Sequence, residues 1–261
     1  MRCFAGIDVG SLTADAVLID EAFNVIGYAI LPTGNDSQQA GTRAYQKALE
    51  RAGVLETDVA GVVSTGYSRG RVEEAGASKT EISCHARGAF YYFPDVGTII
   101  DIGGQDSKAI RVGPDGRVID FAMNDKCAAG TGRFLEVMAG ALNMPLEKMD
   151  SLALASTAEI VISSTCTVFA ESEVVSLISQ GRKPADIASA ICRAIANRTS
   201  GLVTRVGLAD SVVMTGGVAK NKAVAKMLSE KLGHFIKVPE EPQIIGALGA
   251  AIFARENGPG L

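Results

Sequence analysis

Two glycine-containing segments of similar design stand about one domain length apart in this chain. In each, a short apolar strand ends in an aspartate and runs into glycine and small polar residues, over Ile7–Thr13 and Ile100–Asp106. Such a segment is typical of a tight turn between two strands. Because glycine has no Cβ, the backbone N–H groups of the turn can surround an anion. Two turns of this kind predict two clamps on one polyphosphate.

The pattern around the two turns is also repeated. Each half is predicted to begin with three strands, over Cys3–Ile7, Ala14–Asp20 and Asn24–Leu31, and over Thr98–Asp101, Ser107–Val112 and Arg117–Phe121. One further strand is predicted in each half, over Val59–Ser64 and over Ser211–Met214. Helices are predicted over Gln38–Ala52, Gly132–Leu142, Val168–Gly181, Pro184–Val206, Lys220–Leu232 and Pro242–Glu256. The periodicity therefore predicts an α/β chain with two β-β-β-α halves, which is a duplication in architecture.

The composition excludes several classes of protein. The 261 residues are 47% hydrophobic, and no apolar run approaches the length of a membrane span. A net charge of -4 at pH 7 leaves no basic stripe for nucleic acid. The first predicted strand follows the initial Met at once, without a leader, so we expect a cytoplasmic protein. Five cysteines without short paired spacing argue against a disulfide framework and leave reactive or metal-bound thiols open.

A third glycine-rich turn follows a predicted strand at Thr215–Val218. Each turn alone is compatible with an ordinary hairpin, but three in this order favour a nucleotide site. The P-loop pattern of Gly, four residues, Gly, Lys and Ser or Thr does not occur, and Gly130–Arg133 only imitates its tail. The two halves resemble the actin, Hsp70 and sugar-kinase superfamily. That is an α/β class with a duplicated ribonuclease-H-type fold, in which ATP binds in the cleft between two subdomains.

This resemblance implies domain limits and nucleotide-binding residues. It implies a first subdomain over residues 1–96, a second over 97–242, and a C-terminal helix over 243–257 that returns to the first. Asp8–Thr13 would be the first phosphate loop, Asp101–Asp106 the second, and Thr215–Val218 the adenosine loop. The expected cofactor-binding residues are Gly10, Ser11, Leu12, Thr13, Gly103, Gly104, Gln105, Gly216, Gly217 and Gln243.

Two cysteines stand in unusual settings in the second half. Cys127 and Cys166 each come just before a predicted helix, among small residues. The partial positive charge and free N–H groups of a helix N-terminus stabilise a thiolate or an anionic cluster nearby. Both cysteines are therefore interpreted as metal ligands. Cys3 and Cys192 lie in apolar patterns and are interpreted as small buried hydrophobes, and Cys84 is ambiguous but favoured as structural.

Two ligands do not complete an iron–sulfur cluster, which usually takes four. In a two-fold dimer, Cys127 and Cys166 from each chain would supply the four, because an isologous interface brings the same patch of both subunits together. Unliganded thiols near the nucleotide and a zinc bridge are the alternatives. Zinc would be structural and would give nucleotide hydrolysis no electron to move.

The segments Met123–Glu136 and Ile162–Val174 resemble the signature stretches of the activator ATPases of 2-hydroxyacyl-CoA dehydratases. This family also contains the ATPase subunits of benzoyl-CoA reductase and the reductases of double-cubane-cluster proteins. The resemblance covers essentially the whole chain. Within the family, Asp15 stands where dehydratase activators usually have Lys, and the segments Ser11–Asp15 and Cys84–Gly88 resemble the benzoyl-CoA reductase side more closely.

The family resemblance implies an oxygen-sensitive homodimer, or a heterodimer with a paralogue, that holds one [4Fe-4S] cluster between its subunits. It implies that ATP with Mg²⁺ is used to pass an electron at very low potential to an acyl-CoA dehydratase or reductase. The electron donor would be a ferredoxin or a flavodoxin.

The expected catalytic residues lie on the two phosphate turns. Asp8 and Asp101 are expected to position the water ligands of Mg²⁺, and Gln105 to orient the attacking water without being a strong base. Loss of the γ-phosphate removes contacts to one clamp, so the ATP and ADP states differ in geometry. The helices after the two cysteines are expected to transmit that difference to the cluster, whose potential depends on its hydrogen bonds and exposure.

Two other function classes remain as alternatives. A small-molecule kinase of the same superfamily would need a substrate-binding insert with a catalytic aspartate, and the first half offers none. A non-catalytic nucleotide-dependent sensor would bind ATP without redox activity. A brown colour and iron in an anaerobically purified sample would separate the activator from both.

Overall fold

The computed structural model describes residues 2–126, 128–162 and 166–257. The described chain contains two mixed five-stranded sheets with helices, which makes it an α/β protein. The described residues divide into two compact units, one within 2–96, 112–119 and 240–257 and the other within 97–111 and 120–239. Among the described helices, none is both long and apolar enough to cross a membrane.

The first sheet has the strand order β3-β2-β1-β4-β5. Its strands are β1 (Cys3–Val9), β2 (Thr13–Asp20), β3 (Val25–Pro32), β4 (Val59–Thr65) and β5 (Ala77–Ser78). The strand β1 is buried along its whole length, antiparallel to β2 and parallel to β4. The helix α1 (Ser37–Ala52) packs on this sheet with alanines spaced four apart, Ala40, Ala44 and Ala48, because that spacing keeps them on one helix face.

The other face of the first sheet is covered by α8 (Ile245–Asn257), against which α2 (Glu81–Tyr92) packs. Glycines make these close approaches possible. A Cβ on Gly249 would overlap the carbonyl of Cys84, and a Cβ on Gly6 would overlap the carbonyl of Ala247. These glycines therefore serve close packing within the first unit.

The second sheet has the strand order β10-β9-β6-β7-β8. Its strands are β6 (Thr98–Ile102), β7 (Ser107–Val112), β8 (Val118–Asn124), β9 (Val212–Thr215) and β10 (Ile236–Lys237). The α-helices between β8 and β10 in sequence are α3 (Gly132–Ala141), α4 (Met149–Leu154), α5 (Thr167–Ser179), α6 (Pro184–Val206) and α7 (Lys222–Leu232). Pro184 occupies the first turn of α6, as its position in the sequence predicts.

Candidate functional site

The first glycine hairpin joins β1 to β2 and is held by hydrogen bonds from residues of its own unit, among them one from the backbone N–H of Thr33 to the Leu12 carbonyl at 2.9 Å. The N–H of Gly10 donates to the carbonyl of Thr13 at 2.9 Å, which closes the turn. The hydroxyl of Thr33 donates to the Gly10 carbonyl at 2.9 Å. The side chain of Gln243 donates from Nε2 to the Thr13 hydroxyl at 3.0 Å. Thr13 and Gln243, two predicted site residues far apart in sequence, are therefore in direct contact.

Two carboxylates face each other beside this first hairpin. Asp8 on β1 pairs in register with Asp15 on β2, and both side chains are buried. Directly opposite residues of an antiparallel pair point to the same face of the sheet. The Thr13 hydroxyl lies 3.3 Å from Oδ2 of Asp15. A Cβ on Gly246 would lie 3.0 Å from Nε2 of His85 and would overlap Oδ2 of Asp8, so this small residue leaves room for the carboxylate.

The second glycine hairpin joins β6 to β7 and has the same closing hydrogen bond. The N–H of Gly103 donates to the carbonyl of Asp106 at 3.0 Å. Asp101 is the penultimate residue of β6, is fully buried and accepts a hydrogen bond from the hydroxyl of Thr215 at 3.0 Å. The ammonium of Lys108 lies 3.3 Å from Oδ2 of Asp101 and 2.8 Å from Oδ1 of Asp106. A buried cation therefore stands between the two carboxylates of this hairpin.

The tip of the second hairpin is bonded to the first turn of α3. The N–H of Gly132 donates to the carbonyl of Gly103 at 2.9 Å, and the N–H of Arg133 donates to the carbonyl of Gly104 at 2.8 Å. The first N–H groups of a helix have no partner within the helix, so the hairpin caps α3. Gln105, the predicted water-orienting residue, is exposed at the tip.

The third glycine turn lies against the end of β6. Gly216 adopts φ +83°, and a Cβ there would lie 2.7 Å from Oδ1 of Asp101. Only a glycine accommodates both the positive φ and this close approach. Gly217 begins a short 3-10 turn, Gly217–Lys220. The turn predicted for adenosine thus packs directly beside the aspartate of the second hairpin.

The cysteines fall into two groups. Cys166 is half-buried in extended conformation and occupies the N-cap position of α5, without a capping hydrogen bond from its side chain. Cys3, Cys84 and Cys192 are buried, and burial is the main cause that raises the pKa of Cys84 and of Cys192 to about 12. These two thiols stay protonated near neutral pH and are poor metal ligands. The second predicted ligand, Cys127, lies outside the described residues.

The described residues on both sides of Cys127 contact one arginine of α6. The guanidinium of Arg198 donates from Nη2 to Oδ1 of Asn124 at 3.3 Å. On the other side, Gly130 has φ +90°, and a Cβ there would lie 2.8 Å from Cδ of Arg198. Helix α3, which follows this loop, packs against α5, whose N-cap residue is Cys166.

Three residues of these surroundings were not among the predicted site residues: Lys108, His85 and Arg198. The position of Lys108 could have been predicted from the sequence. If the chain turns at Gly103 and Gly104, the two strands pair so that Lys108 lies opposite Asp101. The neighbours of His85 and Arg198 could not have been predicted in this way, because each residue meets them through packing between elements distant in sequence.

The duplicated sheets with their glycine turns define an α/β protein of the actin, Hsp70 and sugar-kinase class. A ROK family glucokinase from Streptomyces griseus shares this fold at a TM-score of 0.62 and 13% identity, with 97% of this chain and 99% of that chain covered. The chain belongs to the BadF/BadG/BcrA/BcrD ATPase family, whose characteristic sequence matches residues 5–254. The predicted fold class and family are confirmed.

Relatives with assigned functions cover nearly the whole chain. The activator of lactoyl-CoA dehydratase from Anaerotignum propionicum is 46% identical, over 96% of each chain. Component A of the (R)-2-hydroxyglutaryl-CoA dehydratase of Acidaminococcus fermentans superposes with a TM-score of 0.95 at 43% identity, covering 98% of this chain and 99% of that one. The activator of the 2-hydroxyisocaproyl-CoA dehydratase from Clostridium difficile was solved with bound ADPNP. It superposes with a TM-score of 0.94 at 40% identity, covering 98% of this chain and 95% of that one.

The closer resemblance to the benzoyl-CoA reductase side does not hold for the chain as a whole. A benzoyl-CoA reductase component from Thauera aromatica is 32% identical, with 97% of this chain and 93% of its own sequence covered. The lactoyl-CoA dehydratase activator is 46% identical over a similar length. The two short segments around Asp15 and His85 are not long enough to assign the chain to the dehydratase activators or to the benzoyl-CoA reductase subunits.

Proposed function

We propose that this protein is an ATP-hydrolysing electron-transfer activator. In this proposal it takes an electron from a ferredoxin or flavodoxin and delivers it at low potential to a partner metalloenzyme in the cytoplasm of an anaerobic cell. The partner class is a 2-hydroxyacyl-CoA dehydratase, a benzoyl-CoA reductase or a double-cubane-cluster protein. Family membership and relatives that are dehydratase activators support this assignment.

The residues of the hairpins fit a nucleotide with Mg²⁺. The glycine turns present backbone N–H groups suited to phosphate, and carboxylate oxygens are the ligands that Mg²⁺ and its waters prefer. We assign Asp8 and Asp101 to the magnesium waters and Gln105 to the attacking water. Gln105 is exposed at the hairpin tip, and its amide can hold a water by hydrogen bonds without taking its proton.

Cys166 fits a ligand of a [4Fe-4S] cluster, with Cys127 as the second ligand from the same chain. It is half-buried at a helix N-terminus, whereas the other described cysteines are buried within the core. A bound cluster would supply a one-electron carrier. Next to Cys166, Val168 and Phe169 are each 66% exposed, and Val175 on the same helix is 52% exposed. Such apolar exposure supports a covering second subunit, a copy of this chain or a paralogue.

The observation that carries the proposal is the backbone connection between the second hairpin and α3. Gly103 and Gly104 accept hydrogen bonds from the first turn of α3, and that helix begins five positions after Cys127. A nucleotide that moves the hairpin must therefore move the helix or break two hydrogen bonds. Because α3 packs on α5, the same displacement reaches Cys166. This is a physical route by which ATP can change the surroundings of both cysteines.

The test is anaerobic purification followed by iron and sulfide analysis and calorimetry with ATP. The proposal predicts about four irons per dimer, a brown colour and tight ATP binding. It also predicts ATP-dependent reduction of a dehydratase partner by a reduced donor. A colourless protein that binds ATP and phosphorylates a small molecule would contradict the proposal and favour the kinase alternative.

A further inference from the structure

Lys108 places a charged ammonium in a fully buried position of the second unit. Its side chain is 1% exposed, and its Nζ contacts Asp101 at 3.3 Å and Asp106 at 2.8 Å. Lysine is among the residues least often buried, because removing its charge from water is costly. A buried ion pair is also weak evidence for stability, since apolar residues of similar size often serve the fold as well.

The first hairpin provides an internal control for this lysine. Asp101 pairs in register with Lys108, and Asp8 pairs in register with Asp15, each seven positions along the chain. Both hairpins close with the same hydrogen bond across the turn. A strand–turn–strand of this geometry therefore forms with either an acid or a base at the opposing position. The fold does not explain the cation at position 108, and its charge requires another reason.

We propose that Lys108 is a positioning residue for nucleotide hydrolysis. It acts through Asp101, whose carboxylate it holds together with the Thr215 hydroxyl, and through Asp106. Its positive charge also offsets part of the negative charge of the two carboxylates, so the second hairpin repels a polyphosphate less. This inference rests on the proposed function, in which the second hairpin binds the phosphates of ATP.

The two effects of Lys108 predict a distinctive kinetic pattern. In Lys108→Met the stem length is kept and the charge is lost. We expect kcat to fall about 10²-fold because Asp101 loses a contact that orients its carboxylate. We expect ATP to bind about 10-fold more weakly because the carboxylates have one cation less beside them.

A second variant separates charge from orientation. Lys108→Met combined with Asp106→Asn removes one positive and one negative charge, so ATP affinity should return to within about 3-fold of the parent protein. The kcat should stay low, because Asp101 still lacks the ammonium. The matched control is Arg111→Met, near the other end of β7, where the guanidinium donates to the Gly97 carbonyl at 2.8 Å. It removes a cation from the same strand and should leave kcat within about 2-fold.

The measurements are steady-state ATP hydrolysis, calorimetric ATP binding and circular dichroism of each purified dimer. Wild-type kcat and affinity in folded Lys108→Met would overturn the inference. If that variant does not fold, the double variant decides, and a wild-type kcat there would overturn the inference. Failure of the parent protein to bind ATP would overturn the proposed function as well. Parent binding with an unaffected Lys108→Met overturns only the role of the lysine.

Discussion

The two glycine hairpins have the same closing geometry and differ in what holds them. The first is held by the side chains of Thr33 and Gln243 and by the backbone N–H of Thr33, which donates to the Leu12 carbonyl at 2.9 Å. The second is held by backbone N–H groups from the first turn of α3. The contacts of the first hairpin come from Thr33, just after β3, and from one glutamine side chain. Those of the second come from the first turn of a helix, so a displaced second hairpin must move that helix or break the hydrogen bonds. Under the proposed function, we therefore expect the first hairpin to anchor the nucleotide and the second to transmit its state.

The hairpins also differ in charge at one equivalent position. Asp15 faces Asp8 in the first, and Lys108 faces Asp101 in the second. A pair of acids favours a cation nearby, and an acid paired with a base does so less. We therefore expect the first hairpin to contribute more to Mg²⁺ binding and the second more to phosphate and water.

The largest effect is expected for the two cysteines of the second unit that we assign as cluster ligands. Cys166→Ser and Cys127→Ser should each abolish cluster iron while ATP binding remains measurable. Cys192→Ser is the matched control, because Cys192 is buried in α6 and should leave iron unchanged. Iron analysis after anaerobic purification measures all three. Full iron in Cys166→Ser would remove this residue from the ligand set.

The next effect separates hydrolysis from binding at the tip of the second hairpin. Gln105→Ala should bind ATP with near-normal affinity and hydrolyse it at least ~10²-fold more slowly, because the attacking water loses its orientation. The cluster should remain intact. In an assay with a dehydratase partner, product formation should fall together with ATP consumption. Full product formation without hydrolysis would show that the two are not coupled.

A smaller effect concerns two of the glycines that we assign to the nucleotide site. Gly104→Val and Gly217→Val should each weaken ATP binding by more than about 10-fold, because a branched side chain would occupy space assigned to phosphate or adenosine. Calorimetry gives the affinities. Unchanged binding in both variants would remove the assignment of these turns to the nucleotide.

The smallest effect is expected for Gln243, whose loss tests whether the first hairpin mainly anchors the nucleotide. Gln243→Ala removes the hydrogen bond to the Thr13 hydroxyl, which is 3.0 Å long. Loss of one such bond should weaken ATP binding about 2- to 10-fold and leave kcat within about 2-fold. Hydrolysis kinetics and calorimetry measure the two quantities. A large fall in kcat with unchanged affinity would reverse the roles assigned to the two hairpins.

The strands next to the glycine turns could be located from the sequence, because a short apolar run bounded by glycine is typical of a buried strand. The predicted strand Cys3–Ile7 is observed as Cys3–Val9, and the predicted helix Pro184–Val206 is observed with the same bounds. The helix Glu81–Tyr92 was not predicted. Its interior Gly88 weakens the helical signal, and only the structure shows why it is there: a Cβ would overlap the carbonyl of Ile245.

The candidate site was predictable in its local parts and not in its connections. Each glycine turn lies within a dozen residues, so its composition indicates its geometry. The hydrogen bonds from Gly132 and Arg133 to the second hairpin join segments about 30 residues apart, and no local pattern encodes them. The same holds for Arg198, whose contacts to Asn124 and Gly130 depend on how α6 packs.

The most direct test of the account is whether nucleotide bound at the hairpins changes the surroundings of the cluster. The anaerobic protein is mixed with an iron chelator in the presence of Mg-ADPNP or Mg-ADP, and the rate of iron removal is followed by absorbance. We expect rates of iron removal that differ at least ~5-fold between the two nucleotides, which is the lower bound of typical coupling between sites. In Gly132→Ala, a Cβ 3.2 Å from the Gly103 carbonyl disturbs the contact with the hairpin, and the difference should shrink. Equal rates of iron removal from the wild-type protein with Mg-ADPNP and with Mg-ADP would contradict the proposed coupling between nucleotide and cluster.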